Sequence, residues 1–477
     1  MTVDVALGTV TGDAVVAALA STLDPADVLT DVSALRPFRT DLAGTVVGPA
    51  PLVAVIPRTV DQVQAVARIA TAHRVPLVVR GAGTGLSGGA TAPAGGIVLS
   101  TAGLAHIRID PADQVAEVGP GAITDQVDAA AREHGLMYAP DPASSQWSTI
   151  GGNIATNAGG LRCVKYGVTR DAVLALDVVL IDGRLIRTGH RSVKGVTGYD
   201  LTALIVGSEG TLGIVVGATL RLLPAPERVR TLVVSLPRLR DAGRAIEIVT
   251  GSGIRPSCVE LLDRASLENI DAHSGTGLVE AHGEGLLLVQ TDGAGADAEI
   301  AVLDARLGSA GISSRVLDDL EGERYYELRR TGRGFDADAW SIGEDIAVPR
   351  SRLVDILVEI ESIAERHGLS VQAVAHAGDG NLHPGFSTPR RDGETEPPAS
   401  LALAADELVR AALAMGGTIS GEHGIGSLKR DWLVDELGSA QVDIQRGIKR
   451  VLDPHGLLAP DSFLAEATAA RFAAIVP

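Results

Sequence analysis

The placement of glycine constrains this chain more than any other feature. Glycine accounts for 56 of its 477 residues, and much of it gathers in three stretches of the first half, residues 81–90, 144–160 and 207–213. Without a Cβ the backbone reaches conformations closed to other residues, and another group can approach the peptide plane closely. Successive exposed N–H groups in such loops form concave anion sites. Three of them in one half imply an extended ligand with a diphosphate and a planar ring.

The first stretch contains Gly83-Thr84-Gly85-Leu86-Ser87-Gly88, a G-x-G-x-x-G pattern. A Rossmann fingerprint requires a helix directly after that loop, to hold the pyrophosphate at its N-terminus. Here the loop runs through Thr91-Ala92-Pro93-Ala94-Gly95-Gly96 into the apolar run Ile97-Val98-Leu99-Ser100, which reads as a strand. The sequence therefore predicts a phosphate-cradling loop outside a Rossmann fold. The second stretch adds Asn153 and Asn157, whose amides both donate and accept.

Composition narrows the partners. Lys plus Arg number 41 against 59 Asp plus Glu, a formal charge of −18, so a polyphosphate would be repelled and nucleic acid is not an expected partner. The two cysteines, Cys163 and Cys258, provide neither a disulfide framework nor an iron–sulfur pattern. No apolar run is long enough to span a membrane, and residues 1–10 carry no basic segment of a signal peptide. These features predict a cytoplasmic protein, with peripheral membrane contact left open.

Apolar spacing predicts a helix opening at Thr59, with Val60, Val63, Val66, Ala67 and Ala70 on one face. Strands are expected at 76–80, 97–100, 115–118 and 174–180, the last turning at Asp182-Gly183, and a helix at 123–133. Pro224-Ala225-Pro226 marks a boundary, giving domains 1–225 and 226–435 and a terminal segment 436–477. The second part alternates strands (231–235, 259–262, 285–290) with helices (239–250, 296–310, 354–367), the pattern of a mostly antiparallel sheet covered by helices, an α+β layer.

That part also carries His376-Ala377-Gly378-Asp379-Gly380-Asn381-Leu382-His383 and, about forty residues on, Ser420-Gly421-Glu422-His423-Gly424-Ile425-Gly426. The glycines make a helix between the two histidines unfavourable, and a tight Asp-Gly turn would let both imidazoles converge. Two histidines and a carboxylate suit a divalent metal with positions left open for substrate. His376, His383 and Glu422 are the expected ligands, with zinc, manganese or iron as the candidate ion.

These segments carry a family resemblance. Arg80-Gly81-Ala82-Gly83-Thr84-Gly85, Ser148-Thr149-Ile150-Gly151-Gly152-Asn153 with its continuation to Gly160, and Gly207-Ser208-Glu209-Gly210-Thr211-Leu212-Gly213 resemble the FAD domain of the vanillyl-alcohol oxidase and p-cresol methylhydroxylase type. The histidine motifs resemble the D-2-hydroxy-acid dehydrogenase branch, which includes D-lactate dehydrogenases, glycolate oxidase flavin subunits and D-2-hydroxyglutarate dehydrogenases. The resemblance implies that FAD is bound by Arg80, Gly81, Ala82, Gly83, Thr84, Gly85, Leu86, Ser87, Pro140, Asp141 and Ser144. It extends the site to Thr149, Ile150, Gly151, Gly152, Asn153, Ala155, Asn157, Gly159 and Gly160, and places Glu209, Gly210, Gly213 and Ile214 near the adenine and ribose. No histidine follows Gly83, so the FAD is expected to be non-covalent.

The same resemblance implies that His423 is the catalytic base and that Arg329 clamps the substrate carboxylate. A metal on the substrate hydroxyl would lower its pKa, a neutral histidine would take the proton, and hydride would pass to flavin N5. No lysine stands just before Asp345, and Gly385 replaces an asparagine of the hydroxyglutarate enzymes; a second carboxylate would instead meet Glu344. D-Lactate or glycolate is therefore the expected substrate, with D-2-hydroxyglutarate or a larger hydroxy acid as the alternative. A redox-neutral enzyme resembling alkyldihydroxyacetone-phosphate synthase and a non-catalytic flavin-binding subunit are further readings. The electron acceptor is open among quinone, electron-transfer flavoprotein, cytochrome and oxygen, and a homodimer is possible.

Overall fold

The computed structural model describes residues 12–44, 50–192, 194–332 and 338–465; the leader reading at residues 1–10 lies outside them. Two large sheets dominate the described first half, beside a short pairing of Leu136–Met137 with Leu223–Pro224. Strands Val53–Val55, Ile97–Ser100 and Leu77–Arg80 run parallel in that order, with Val28–Leu29 antiparallel at one edge. The expected helix is Val60–His73, capped by Thr59, whose side chain accepts from Gln62 N. Its buried face of Val63, Val66, Ala67 and Ala70 packs on Leu77, Ile97 and Leu99 of this sheet and on Val179 and Ile214 of the next. Thr71 Oγ1 also donates to Ile181 O at 2.6 Å, so the helix joins the two sheets.

The second sheet is antiparallel in the order Ile107–Asp110, Val115–Val118, Ile214–Arg221, Val173–Val179, Leu185–Gly189. The last pair is the hairpin expected at Asp182-Gly183, with Gly183 at φ 84°. No helix intervenes between residues 81 and 96, in line with the rejection of a Rossmann loop. The second glycine stretch differs from expectation because it contains a helix, Ile150–Thr156. Two glycines disfavour helix, but Thr149 caps the start by accepting from Gly152 N, and Ile150 and Ile154 drive into the core beside Val178 and Leu220.

The third sheet is antiparallel throughout, in the order Ser314–Val316, Val229–Leu236, Gly285–Asp292, Cys258–Asp263, Ser370–His376, Asn381–Pro389, Ala339–Gly343. Side chains alternate between its faces. Leu232, Val234, Leu261, Val289, Ala375 and Phe386 face helices Ala242–Thr250, Ala296–Ser309, Leu353–His367 and Ala399–Ala414. Val233, Leu262, Leu288 and Val374 face Arg264–Ser274 and Asp319–Thr331. Glu260, His376 and His383 fall on this second face, because Glu260 pairs with His376 and Val374 with His383. The chain then returns to the first sheet: Leu77 N donates to Leu457 O and Ala459 N to Leu77 O, both at 2.8 Å.

Candidate active site

His376 ends one strand of the third sheet and His383 lies in the next, joined by the tight turn that the Asp-Gly pair predicted. Asp379 N and Gly380 N both donate to His376 O. Gly380 is obligatory there, with φ at 92° and a Cβ that would sit 2.1 Å from Val348 O. The two rings meet edge to face, centroids 5.2 Å apart. Glu422 arrives from the 420–428 loop, its Oε1 lying 3.3 Å from His376 Nε2 and 3.2 Å from His383 Nε2. One ligand atom from each residue falls within 4.8 Å of the others. The donor set therefore fits one divalent cation.

Each histidine has its other nitrogen turned to a buried carboxylate. His376 Nδ1 lies 2.7 Å from Glu260 Oε1, and His383 Nδ1 lies 3.6 Å from Asp345 Oδ1. Such outer carboxylates fix the tautomer and orientation of metal-ligating histidines. Asp345 also anchors the Glu422 loop: its Oδ2 accepts from Ser420 Oγ at 2.7 Å, Glu422 N at 3.0 Å and His423 N at 2.9 Å. Burial opposes its ionisation, but His423, Lys429 and His383 outweigh that and hold Asp345 below the ordinary carboxylate range. His423 stacks on His383 at 4.8 Å between centroids, with 16° between planes, so the expected base stands directly beside the ligand set.

The ring environments differ. Burial alone would lower the pKa of His376, but Glu260 and Glu422 raise it to about 10. Burial and the neighbouring His423 push His383 down to about 4. Glu422 lies far below its usual range because His376 and His383 overcome its burial. A bound cation would replace these protons as the partner of the carboxylate.

Glu260 and Asp345 were not singled out as site residues from the sequence. The available signal was a single acid inside an apolar strand, Val259-Glu260-Leu261-Leu262, because buried charges are paired ones. Arg329 ends helix Asp319–Thr331 and is 2 % exposed. It is ion-paired rather than free: Nη2 lies 2.5 Å from Glu260 Oε2. The contact is not an aligned hydrogen bond, and Nε and Nη2 both lack a hydrogen-bond partner. The expectation that Glu344 would repel a second substrate carboxylate needs correction. Glu344 is buried and lies 3.0 Å from Lys429 Nζ, which offsets its charge.

The flavin positions divide into two groups. Ala82 and Leu86 are exposed and Gly85 half-buried in the first loop, which turns at Gly83 and Gly88 with φ of 78° and 76°. Gly81 meets the second stretch, since its Cβ would fall 2.4 Å from Thr149 Oγ1. Gly210 has open room beside it, the nearest atom being Val79 Cβ at 3.9 Å. These backbones fit a flat, diphosphate-bearing cofactor.

Several side chains expected at the cofactor are instead spent inside the protein. Arg80 donates to Thr40 O at 2.9 Å and Ala90 O at 3.3 Å, bracing the loop from beneath. Asn153 Nδ2 donates to Thr124 Oγ1 at 2.6 Å, and Asn157 Oδ1 accepts from Arg170 N. Asp141 is buried against Tyr326, Arg330 and Arg162. Pro140 is buried beside it, and Ser144 O accepts from Trp147 N and Ser148 N. Gly213 lies against Val178, and Ile214 belongs to the core. Ala155 O accepts from Glu209 N, and Gly160 touches Asp141 O. Ser87 and Glu209 reach across to the Glu422 loop.

This arrangement of glycine loops over a histidine–carboxylate face defines a flavin-dependent oxidoreductase. A model of the C-terminal domain of FAD-linked oxidases matches residues 225–463, and one of the FAD binding domain matches 51–189. The chain is 38 % identical over 419 residues to glycolate oxidase subunit GlcD of Bacillus subtilis, covering 86 % of this chain and 88 % of that one. It is 34 % identical over 410 residues to D-lactate dehydrogenase of Archaeoglobus fulgidus, covering 86 % and 90 %. Among solved structures, p-cresol methylhydroxylase with substrate bound superposes with a TM-score of 0.78 at 18 % identity over 95 % of this chain and 96 % of that one, which shows the vanillyl-alcohol-oxidase-type fold. The chain belongs to the FAD-linked oxidase family and is an oxidoreductase of the glycolate oxidase and D-lactate dehydrogenase type.

Proposed function

We propose that this enzyme oxidises a small D-2-hydroxy acid, D-lactate or glycolate, to the 2-oxo acid, using non-covalent FAD and one divalent metal held by His376, His383 and Glu422. The observation that carries the reading is the convergence of both Nε2 atoms on one Glu422 oxygen, with each Nδ1 turned toward a buried carboxylate. A cation held by these residues would supply Lewis acidity to a substrate hydroxyl, and FAD held by the glycine loops would supply the hydride acceptor.

The protein's own groups do the rest. His423, beside His383 and partly accessible, takes the hydroxyl proton. Arg329, whose Nη2 is ion-paired to Glu260 and whose Nε has no hydrogen-bond partner, supplies the guanidinium charge that attracts the substrate carboxylate. Glu260 balances the arginine while orienting His376. The preference for a monocarboxylate rests on the sheet surface beyond His383. Gly385 is paired with Gly343, a Cβ added to it would meet only the Gln372 side chain, at 3.8 Å, and the described residues of that strand pair bring no cation there.

The test is an anaerobic titration of the metal-loaded protein with D-lactate, L-lactate, glycolate and D-2-hydroxyglutarate, followed by flavin absorbance. Bleaching by D-lactate or glycolate is expected. A flavin bleached by D-2-hydroxyglutarate alone, or by none of the four, overturns the substrate reading. Electrons then pass to a separate acceptor, a quinone, an electron-transfer flavoprotein or a cytochrome, because the chain has no cysteine pattern for a cluster of its own.

A further inference from the structure

The loop bearing Glu422 and His423 is fastened to all three glycine stretches of the first half. A Cβ on Gly159 would fall 2.5 Å from Glu422 Oε2, so the second stretch runs against the ligand carboxylate itself. Ser87, in the first stretch, donates through Oγ to Gly424 O at 2.9 Å and His423 O at 3.2 Å. Its own carbonyl accepts from Ser427 N and Leu428 N. Glu209, in the third stretch, holds the loop by both oxygens: Oε1 accepts from Ile425 N at 2.8 Å and Oε2 from Gly426 N at 2.7 Å. Glu209 stands in the left-handed region at φ 52°, and its N–H is bonded to Ala155 O of the second stretch.

We propose that Glu209 is a positioning residue that locks the Glu422–His423 loop to the flavin loops and so couples metal affinity to the flavin half. The proposal rests on the metal site proposed above. A carboxylate only accepts hydrogen bonds, so it can take one N–H on each oxygen. Glutamine has the same shape but one acceptor oxygen, and its NH2 would face a backbone N–H. Losing one of the two bonds frees the segment directly after His423, at Ile425 or Gly426, just beyond the proposed ligand Glu422. Tight packing passes such a shift on, since a Cβ on Gly426 would lie 1.9 Å from Ser87 O and one on Gly424 3.1 Å from Glu209 Oε1.

The test compares wild-type, Glu209→Gln and Glu209→Asp holoenzymes by three readouts: FAD content from absorbance, Mn2+ or Zn2+ affinity by chelator competition, and hydrogen exchange of the 420–428 segment. For Glu209→Gln, FAD content is expected to stay at the wild-type level. Metal affinity should fall by about 10-fold or more, the scale of outer-residue losses at metal sites, exchange should accelerate, and kcat should fall more than KM rises. Glu209→Asp should recover part of the metal affinity. Loss of FAD with metal affinity unchanged would make Glu209 a cofactor-binding residue and overturn the proposal, as would three unchanged readouts. If the wild type takes up no divalent metal, the proposed metal site fails. Exchange then decides the lock alone, with unchanged exchange in Glu209→Gln refuting it.

Discussion

The flavin half and the half that carries the histidine–carboxylate cluster are built by opposite means. Around the first three glycine stretches the prospective ligand contacts are backbone, and the polar side chains nearby (Arg80, Asn153, Asn157) are consumed in holding that backbone in place. On the third sheet the backbone is a regular antiparallel ladder, and side chains from neighbouring strands form the site. A backbone site tolerates exchange of its side chains only where they do not brace it. A side-chain site depends on each ligand and on the carboxylate behind it. Mutations should therefore separate the halves, with chemistry lost from one and stability from the other.

The largest expected effect is at the ligands. His383→Ala should abolish metal uptake and turnover while leaving FAD bound, checked by metal analysis beside the flavin spectrum; retained metal would break the comparison. His423→Ala should keep both metal and FAD and slow flavin reduction by about 10²–10⁴-fold in anaerobic stopped flow, the range for a lost general base. Glu260→Gln strikes both functions of its carboxylate. It should weaken metal binding by about 10–100-fold and lower unfolding free energy by about 3 kcal/mol, since Arg329 is left buried without its partner. Denaturant melts and metal titration read the two losses separately.

In the flavin half the expected loss is one of stability. Asn153→Ala removes a buried bond to Thr124 Oγ1 and should cost about 1–3 kcal/mol, with FAD affinity close to wild type. An amide that contacted the cofactor would reverse that order. The smallest effect is a pH slope. Burial raises Glu209 from 4.5 to about 7, against its two N–H bonds. The folded state then holds this proton to higher pH than the unfolded chain, so stability falls as pH rises from about 4.5 to about 7. Glu209→Gln should flatten that fall, measured as the difference in melting temperature across the window.

The histidine–carboxylate cluster is legible in the sequence because its motifs are local. His376, His383 and Glu422 sit in glycine-flanked strings whose turn chemistry brings them together. Glu260 and Asp345 are harder to see, since their partners lie on other strands, helices and loops well removed along the chain. The first and third glycine stretches are loops, as the sequence predicts, and the first departs from the Rossmann pattern. Among their side chains, Asn153 and Asn157 each hydrogen-bond within the protein, and a resemblance to a binding motif does not say which way an asparagine faces. Helix Ile150–Thr156 was missed for a physical reason: its glycines argue against helix, and the decisive burial of Ile150 and Ile154 is tertiary. Glu209 illustrates the same limit across domains, since its partners lie 216 and 217 residues away.

The central claim is that a metal held by His376, His383 and Glu422 is needed for hydroxy-acid oxidation at the flavin. The direct measurement is the anaerobic rate of flavin bleaching by D-lactate and glycolate before chelation, after chelation and after metal is restored, with FAD content followed throughout. The account predicts that bleaching by at least one of them disappears on chelation and returns with the metal while FAD stays bound. Equal bleaching in the stripped and restored protein would contradict it.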